Sequence, residues 1–67
     1  MTGKVKWFNG VKGYGFIIDN TGKEYFVHYT NIIKDGFKKL TKEKTVNFDT
    51  DTDANGRVMA VNVKELD

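Results

Sequence analysis

The sequence predicts an all-β fold: a small five-stranded antiparallel barrel. Three observations carry that expectation. Turn signals recur at short intervals, at Asn9-Gly10, Asp19-Asn20-Thr21-Gly22, Asp35-Gly36 and Asp53-Ala54-Asn55-Gly56. The runs between them are rich in β-branched and aromatic residues. The chain is also only 67 residues long and has no cysteine. A domain of that size buries about 60% of its unfolded surface, and disulfides and thiolate zinc sites are not available to staple it. Closing the sheet removes exposed strand edges, which matters in a chain with this much β propensity.

The elements follow in order. Lys4–Asn9, Tyr14–Asp19, Tyr25–Tyr29, Thr45–Thr50 and Val58–Lys64 read as the five strands. Thr30–Lys34 is the one stretch with helical character, and it is too short for more than a single turn. No repeat, low-complexity segment or linker interrupts the chain, so residues 1–67 are expected to form one domain. The longest apolar run, Val58-Met59-Ala60-Val61, falls far short of the roughly 20 residues of a membrane span. No apolar signal-peptide stretch follows the lysine-bearing N-terminus. A reducing, cytoplasmic compartment suits the chain, and no membrane partner is expected.

Charge and aromatics are unevenly spread. Residues 1–40 carry seven lysines against three acids, whereas residues 41–67 carry four bases against six acids. Eight of the nine aromatic residues, and the single histidine, lie within the first 37 positions. A half that is both basic and aromatic suits a surface that attracts phosphates and stacks bases. The competing reading is that these rings simply fill the core.

Strand phase separates the two readings, because alternate residues face opposite sides. Tyr14 and Phe16 share one face, while Gly13 and Gly15 share the other. Phe26 and His28 share a face opposite Tyr25, Val27 and Tyr29, and the polar His28 belongs outside. The second and third strands can therefore lay Tyr14, Phe16, Phe26 and His28 side by side. In the first strand, strict alternation puts Trp7 opposite Lys4, Lys6 and Phe8. Either Trp7 is core or a bulge reorients the strand.

These residues carry a resemblance to a known family. Lys12-Gly13-Tyr14-Gly15-Phe16-Ile17 looks like its first ribonucleoprotein motif, and Tyr25-Phe26-Val27-His28-Tyr29 like its second. With Gly3-Lys4-Val5-Lys6-Trp7-Phe8-Asn9 ahead of them and Asp35-Gly36-Phe37-Lys38 and Val61-Asn62-Val63 behind, the whole chain resembles the bacterial cold shock proteins of the cold-shock domain family. That resemblance implies an OB-fold barrel binding single-stranded RNA and single-stranded DNA with little sequence demand. It also implies an RNA chaperone that modulates transcription and translation. Carried over by motif position, the base-stacking residues are Trp7, Phe16, Phe26, His28, Tyr29 and Phe37, flanked by Phe8 and Tyr14. Lys6, Lys12 and Lys38 supply positive charge, and Arg57 joins them from the acidic loop 49–57. On this reading Trp7 is outside. Tyr14, Tyr25 and Tyr29 stand where Phe, Val and Phe are commoner in the family. Tyr25 is expected to point inward, where its hydroxyl needs a partner or an exit to solvent.

Three rival readings compete with this one. Asp51-Thr52-Asp53-Ala54-Asn55-Gly56 matches the opening of a calcium loop, but Asn62 stands where the bidentate Glu belongs and strand-like sequence flanks both ends. No metal site is expected. An enzyme would need a nucleophile, yet the chain has no cysteine, no serine and only His28 as a histidine. No cofactor and no small-molecule substrate are expected. A barrel whose aromatic patch binds a protein, or a second copy of itself, is the third reading. A monomer is expected, and the lysine-rich run 38–44 reads as a solvated loop.

Overall fold

The computed structural model describes residues 1–34, 36 and 39–66, and it contains all five expected strands. They are β1 (Thr2–Asn9), β2 (Tyr14–Asp19), β3 (Glu24–His28), β4 (Thr45–Thr52) and β5 (Val58–Glu65). β1, β4 and β5 are longer than the sequence reading, and β3 sits one residue earlier. The helical stretch appears as a single 3-10 turn at Tyr29–Asn31. It starts one residue early because Tyr29 leaves the strand to begin it.

The strands close in the order β1-β2-β3-β5-β4. Pairings β1–β2, β1–β4, β2–β3 and β4–β5 are antiparallel, and β3–β5 is parallel through Phe26↔Met59 and Val27↔Ala60. Parity requires this. Directions cannot alternate all the way round a ring with an odd number of strands, so one seam must run parallel. That seam joins strands distant in sequence, which gives the connection between them room to cross.

Two hairpins are built by the same turn chemistry. At the β2–β3 turn, the Asp19 carboxylate accepts from the backbone N–H groups of Thr21 (2.9 Å) and Lys23 (3.0 Å). At the β4–β5 turn, Asp53 accepts from the N–H groups of Asn55 (2.9 Å) and Arg57 (2.9 Å). In both, the glycine three residues on donates its N–H to the aspartate carbonyl. Asp-x-x-Gly is thus a turn signal with a mechanism: the carboxylate satisfies the donors that the reversal leaves unpaired.

The core comprises Val5, Ile17, Tyr25, Val27, Ile32, Leu40, Val46, Phe48, Ala60 and Val63, with Phe8 and Val58 packed partly against it. The lone polar atom of this set is resolved locally. Tyr25 is only 4% exposed, and its hydroxyl donates to the Asp19 carboxylate at 2.8 Å. The inward tyrosine expected from phase therefore finds its partner in the adjoining turn.

Candidate nucleic-acid interface

The site begins with two glycines. A Cβ on Gly15 would sit 2.2 Å from the Trp7 carbonyl oxygen and 2.7 Å from Phe8 Cα. Only glycine therefore lets β2 approach β1 this closely. Gly13 has φ +80, and a Cβ there would meet the Tyr29 ring at 2.6 Å. Bare backbone at these positions is what lets the rings on the opposite face gather.

A bulge in β1 then settles Trp7. Val5 pairs with Ile17 and Trp7 with Phe16, so Lys6 is the extra residue. The slip resets the alternation: Lys6 and Trp7 both face out, and Trp7 is 38% exposed. Of the two alternatives the sequence leaves for Trp7, the bulge is the one realised. The same slip turns Phe8 inward, half-buried against the core. Phe8, placed by strict phase beside the lysines and by motif position beside the stacking rings, is half-buried and packs partly against the core at the edge of that face.

The β2–β3 register pairs Tyr14 with His28 and Phe16 with Phe26. A continuous sheet of rings results. Trp7 lies 5.8 Å from Tyr14 and 5.5 Å from Phe16, between ring centroids. Phe26 lies 5.9 Å from Tyr14 and 5.8 Å from Phe16. The planes are tilted or edge-on to one another, as the ring quadrupoles prefer. His28 and Tyr29 form a second contact at 4.6 Å, with Tyr29 45% exposed at the start of the 3-10 turn. Simple alternation places Tyr29 opposite His28. The break of the strand after His28 swings it out.

The charged candidates differ in their surroundings. Lys6 Nζ makes a 2.6 Å ion pair with Glu24, both side chains being nearly half exposed. Arg57 Nε is held by Asp53 at 3.2 Å. Hydrogen bonds from the Arg57 and Asn55 backbone, partly offset by desolvation, hold the Asp53 carboxyl below its usual range. Lys12 is exposed and makes no ion pair with any described residue; its backbone N–H donates to Asn9 Oδ1 at 3.0 Å. Phe37 and Lys38 lie outside the described residues.

Two residues beside the face escaped the sequence reading. Glu24 shares its phase with Phe26 and His28, so alternation along β3 could have placed it outside, within reach of Lys6. Thr30 bonds to the His28 ring, and only the 3-10 turn brings it there. Among the described residues, no cluster of three or more His, Cys, Asp or Glu side chains is arranged to hold a metal ion, and no helix is long and apolar enough to cross a membrane.

Comparison with known proteins agrees with the geometry. A family model described as the 'Cold-shock' DNA-binding domain matches residues 1–66. The chain is 47% identical over 66 residues to the cold shock-like protein CspE of Bacillus anthracis, covering 98% of this chain and 97% of that one. It is 50% identical over 62 residues to the cold shock-like protein CspD of Bacillus cereus, covering 92% of each. Cold shock protein 1 of Arabidopsis thaliana is 46% identical over 63 residues; there the match spans 92% of this chain but 21% of the plant protein. With a five-stranded closed barrel, an outward aromatic face and a family match running from residue 1 to residue 66, the chain belongs to the cold-shock DNA-binding domain family.

Proposed function

We propose that this protein binds single-stranded RNA and DNA with low sequence specificity and acts as an ATP-independent RNA chaperone. The carrying observation is the contiguous ring surface of Trp7, Tyr14, Phe16 and Phe26 on the outside of β1–β3, with neighbouring centroids 5.5 to 5.9 Å apart. Surfaces seldom leave such an apolar patch without a partner. Each base offers a π-face worth roughly 1–3 kcal/mol on an aromatic ring, whatever its identity. His28 and Tyr29 extend the platform, and Phe37 belongs to it by motif position. Lys12, and Lys38 by motif position, draw in the phosphates. Lys6 and Arg57 do so once their carboxylate partners yield.

Duplexes are excluded because their bases are already stacked. Trapping unpaired segments shifts RNA away from hairpins by mass action, so no ATP is needed. From that activity follow the roles in modulating transcription and translation, exercised by a single-domain cytoplasmic monomer without cofactor or catalytic centre.

Trp7 is the single tryptophan, so its fluorescence reports on the face directly. Strong quenching by a short oligothymidine, weakened by salt and absent with a duplex of equal length, is the expected result. Quenching by neither would remove the nucleic-acid reading and leave a protein-binding face as the alternative.

A further inference from the structure

Thr30 has no role in the motif resemblance, yet it is bound to a ring of the aromatic face. His28 ends β3 and caps the turn Tyr29–Asn31. The backbone N–H of Thr30 lies 3.4 Å from His28 Nδ1, and Thr30 Oγ1 lies 3.0 Å from the same nitrogen. A backbone N–H can only donate, so Nδ1 must face it with its lone pair. The hydroxyl is free to rotate and adapts by donating as well. A neutral imidazole with a bare Nδ1 carries its proton on Nε2. Among the described residues, Nε2 has no partner. His28 is only half-buried, pairs with Tyr14 across the strands and lies 4.6 Å from the Tyr29 ring.

We propose that Thr30 is a positioning residue for nucleic-acid recognition. By capping Nδ1 it holds His28 in the Nε2–H tautomer and leaves one hydrogen-bond donor at the edge of the stacking surface for an acceptor oxygen of the bound strand. This rests on the nucleic-acid reading above and adds a polar preference to it. Stacking alone treats every base alike, whereas a fixed donor favours a carbonyl or phosphate oxygen over an amino group.

The test has two independent readouts. Long-range proton–nitrogen NMR of the free protein, in mildly alkaline buffer, reads the tautomer without any ligand. The wild type and Thr30→Ser should show the Nε2–H form; Thr30→Val loses the 3.0 Å hydroxyl contact, keeps only the longer 3.4 Å backbone one, and should show a mixture. Affinity for oligothymidine should fall about two- to tenfold in Thr30→Val, the range for one neutral hydrogen bond, and recover in Thr30→Ser. Repeating the measurement with oligoadenosine locates the oxygen. Adenine has no carbonyl, so a loss confined to oligothymidine assigns the contact to a thymine oxygen, and an equal loss on both assigns it to the backbone or to an adenine ring nitrogen that accepts in the carbonyl's place.

An Nδ1–H tautomer in the wild type, or undiminished oligothymidine binding by Thr30→Val, overturns the proposal while leaving the stacking site intact. If the wild type bound neither oligomer, the nucleic-acid reading and the donor's role would fall together, even with the expected tautomer present.

Discussion

Asp19 shows how much one side chain can organise. Its carboxylate accepts from the Thr21 hydroxyl at 2.6 Å, the Tyr25 hydroxyl at 2.8 Å and the N–H groups of Thr21 and Lys23. The Thr21 hydroxyl acts most strongly, desolvation opposes it, and the carboxyl is lowered from 3.8 to about 2. An acid whose anion is favoured by folding stabilises the fold fully above its unfolded value, and that contribution disappears as pH falls through the folded value. Stability from urea titrations should therefore drop between roughly pH 4 and pH 2, and the drop should be shallower in Asp19→Asn. Equal slopes for the two proteins would show that this carboxylate does not drive acid unfolding. At the binding face, Phe16 touches both Trp7 and Phe26. Phe16→Ala should weaken oligothymidine binding by about 1–3 kcal/mol, read by titration of Trp7 fluorescence. Wild-type affinity in that variant would mean the stacking surface lies elsewhere.

At the scale of elements, the strand pair β1–β2 depends on absent side chains as much as on present ones. Gly15→Ala would drive a methyl into the Trp7 carbonyl and Phe8 Cα, both backbone atoms that cannot step aside. A loss of at least about 1–3 kcal/mol is expected, large against the modest stability of so small a domain. Gly10, by contrast, has nothing within 4 Å of an added Cβ. Gly10→Ala should leave the melting temperature close to wild type, so the pair of variants separates close approach from a general cost of replacing glycine. The turns were legible in the sequence because Asp-x-x-Gly closes through contacts within five residues. Tyr14, Phe16, Phe26 and His28 were legible because period-two alternation holds along unbulged strands. Alternation cannot read Trp7 or Phe8, since the bulge at Lys6 interrupts that period and arises from pairing with β2; the motif resemblance alone places Trp7 outside.

For the whole molecule, the charge asymmetry of the sequence becomes a distribution around the barrel that local pairing modifies. Lys6 is matched by Glu24 and Arg57 by Asp53, whereas Lys12 makes no ion pair with any described residue. Exposed pairs of this kind are worth about 0–1 kcal/mol, so a phosphate can displace the carboxylate. Lys12→Ala should lower the slope of log affinity against log salt by about 0.7, one phosphate's worth for a single strand, at nearly unchanged stacking. An unaltered slope would remove Lys12 from the phosphate contacts.

The sequence by itself determined the all-β class, the turns at Asn9, Asp19 and Asp53, the inward Tyr25 and the outward patch on β2 and β3, because each depends on local periodicity or on hydrogen bonds a few residues apart; Asp35, of the fourth turn signal, lies outside the described residues. Only the tertiary structure decided the parallel β3–β5 seam, the β1 bulge that turns Trp7 outward and Phe8 inward, the pairing of Lys6 with Glu24 and the capping of His28 by Thr30. Each of the first three depends on which strands become neighbours and in what register, and the last on a backbone turn that alternation cannot describe. Ring closure with an odd number of strands imposes the first, and strand pairing at the Lys6 bulge the second.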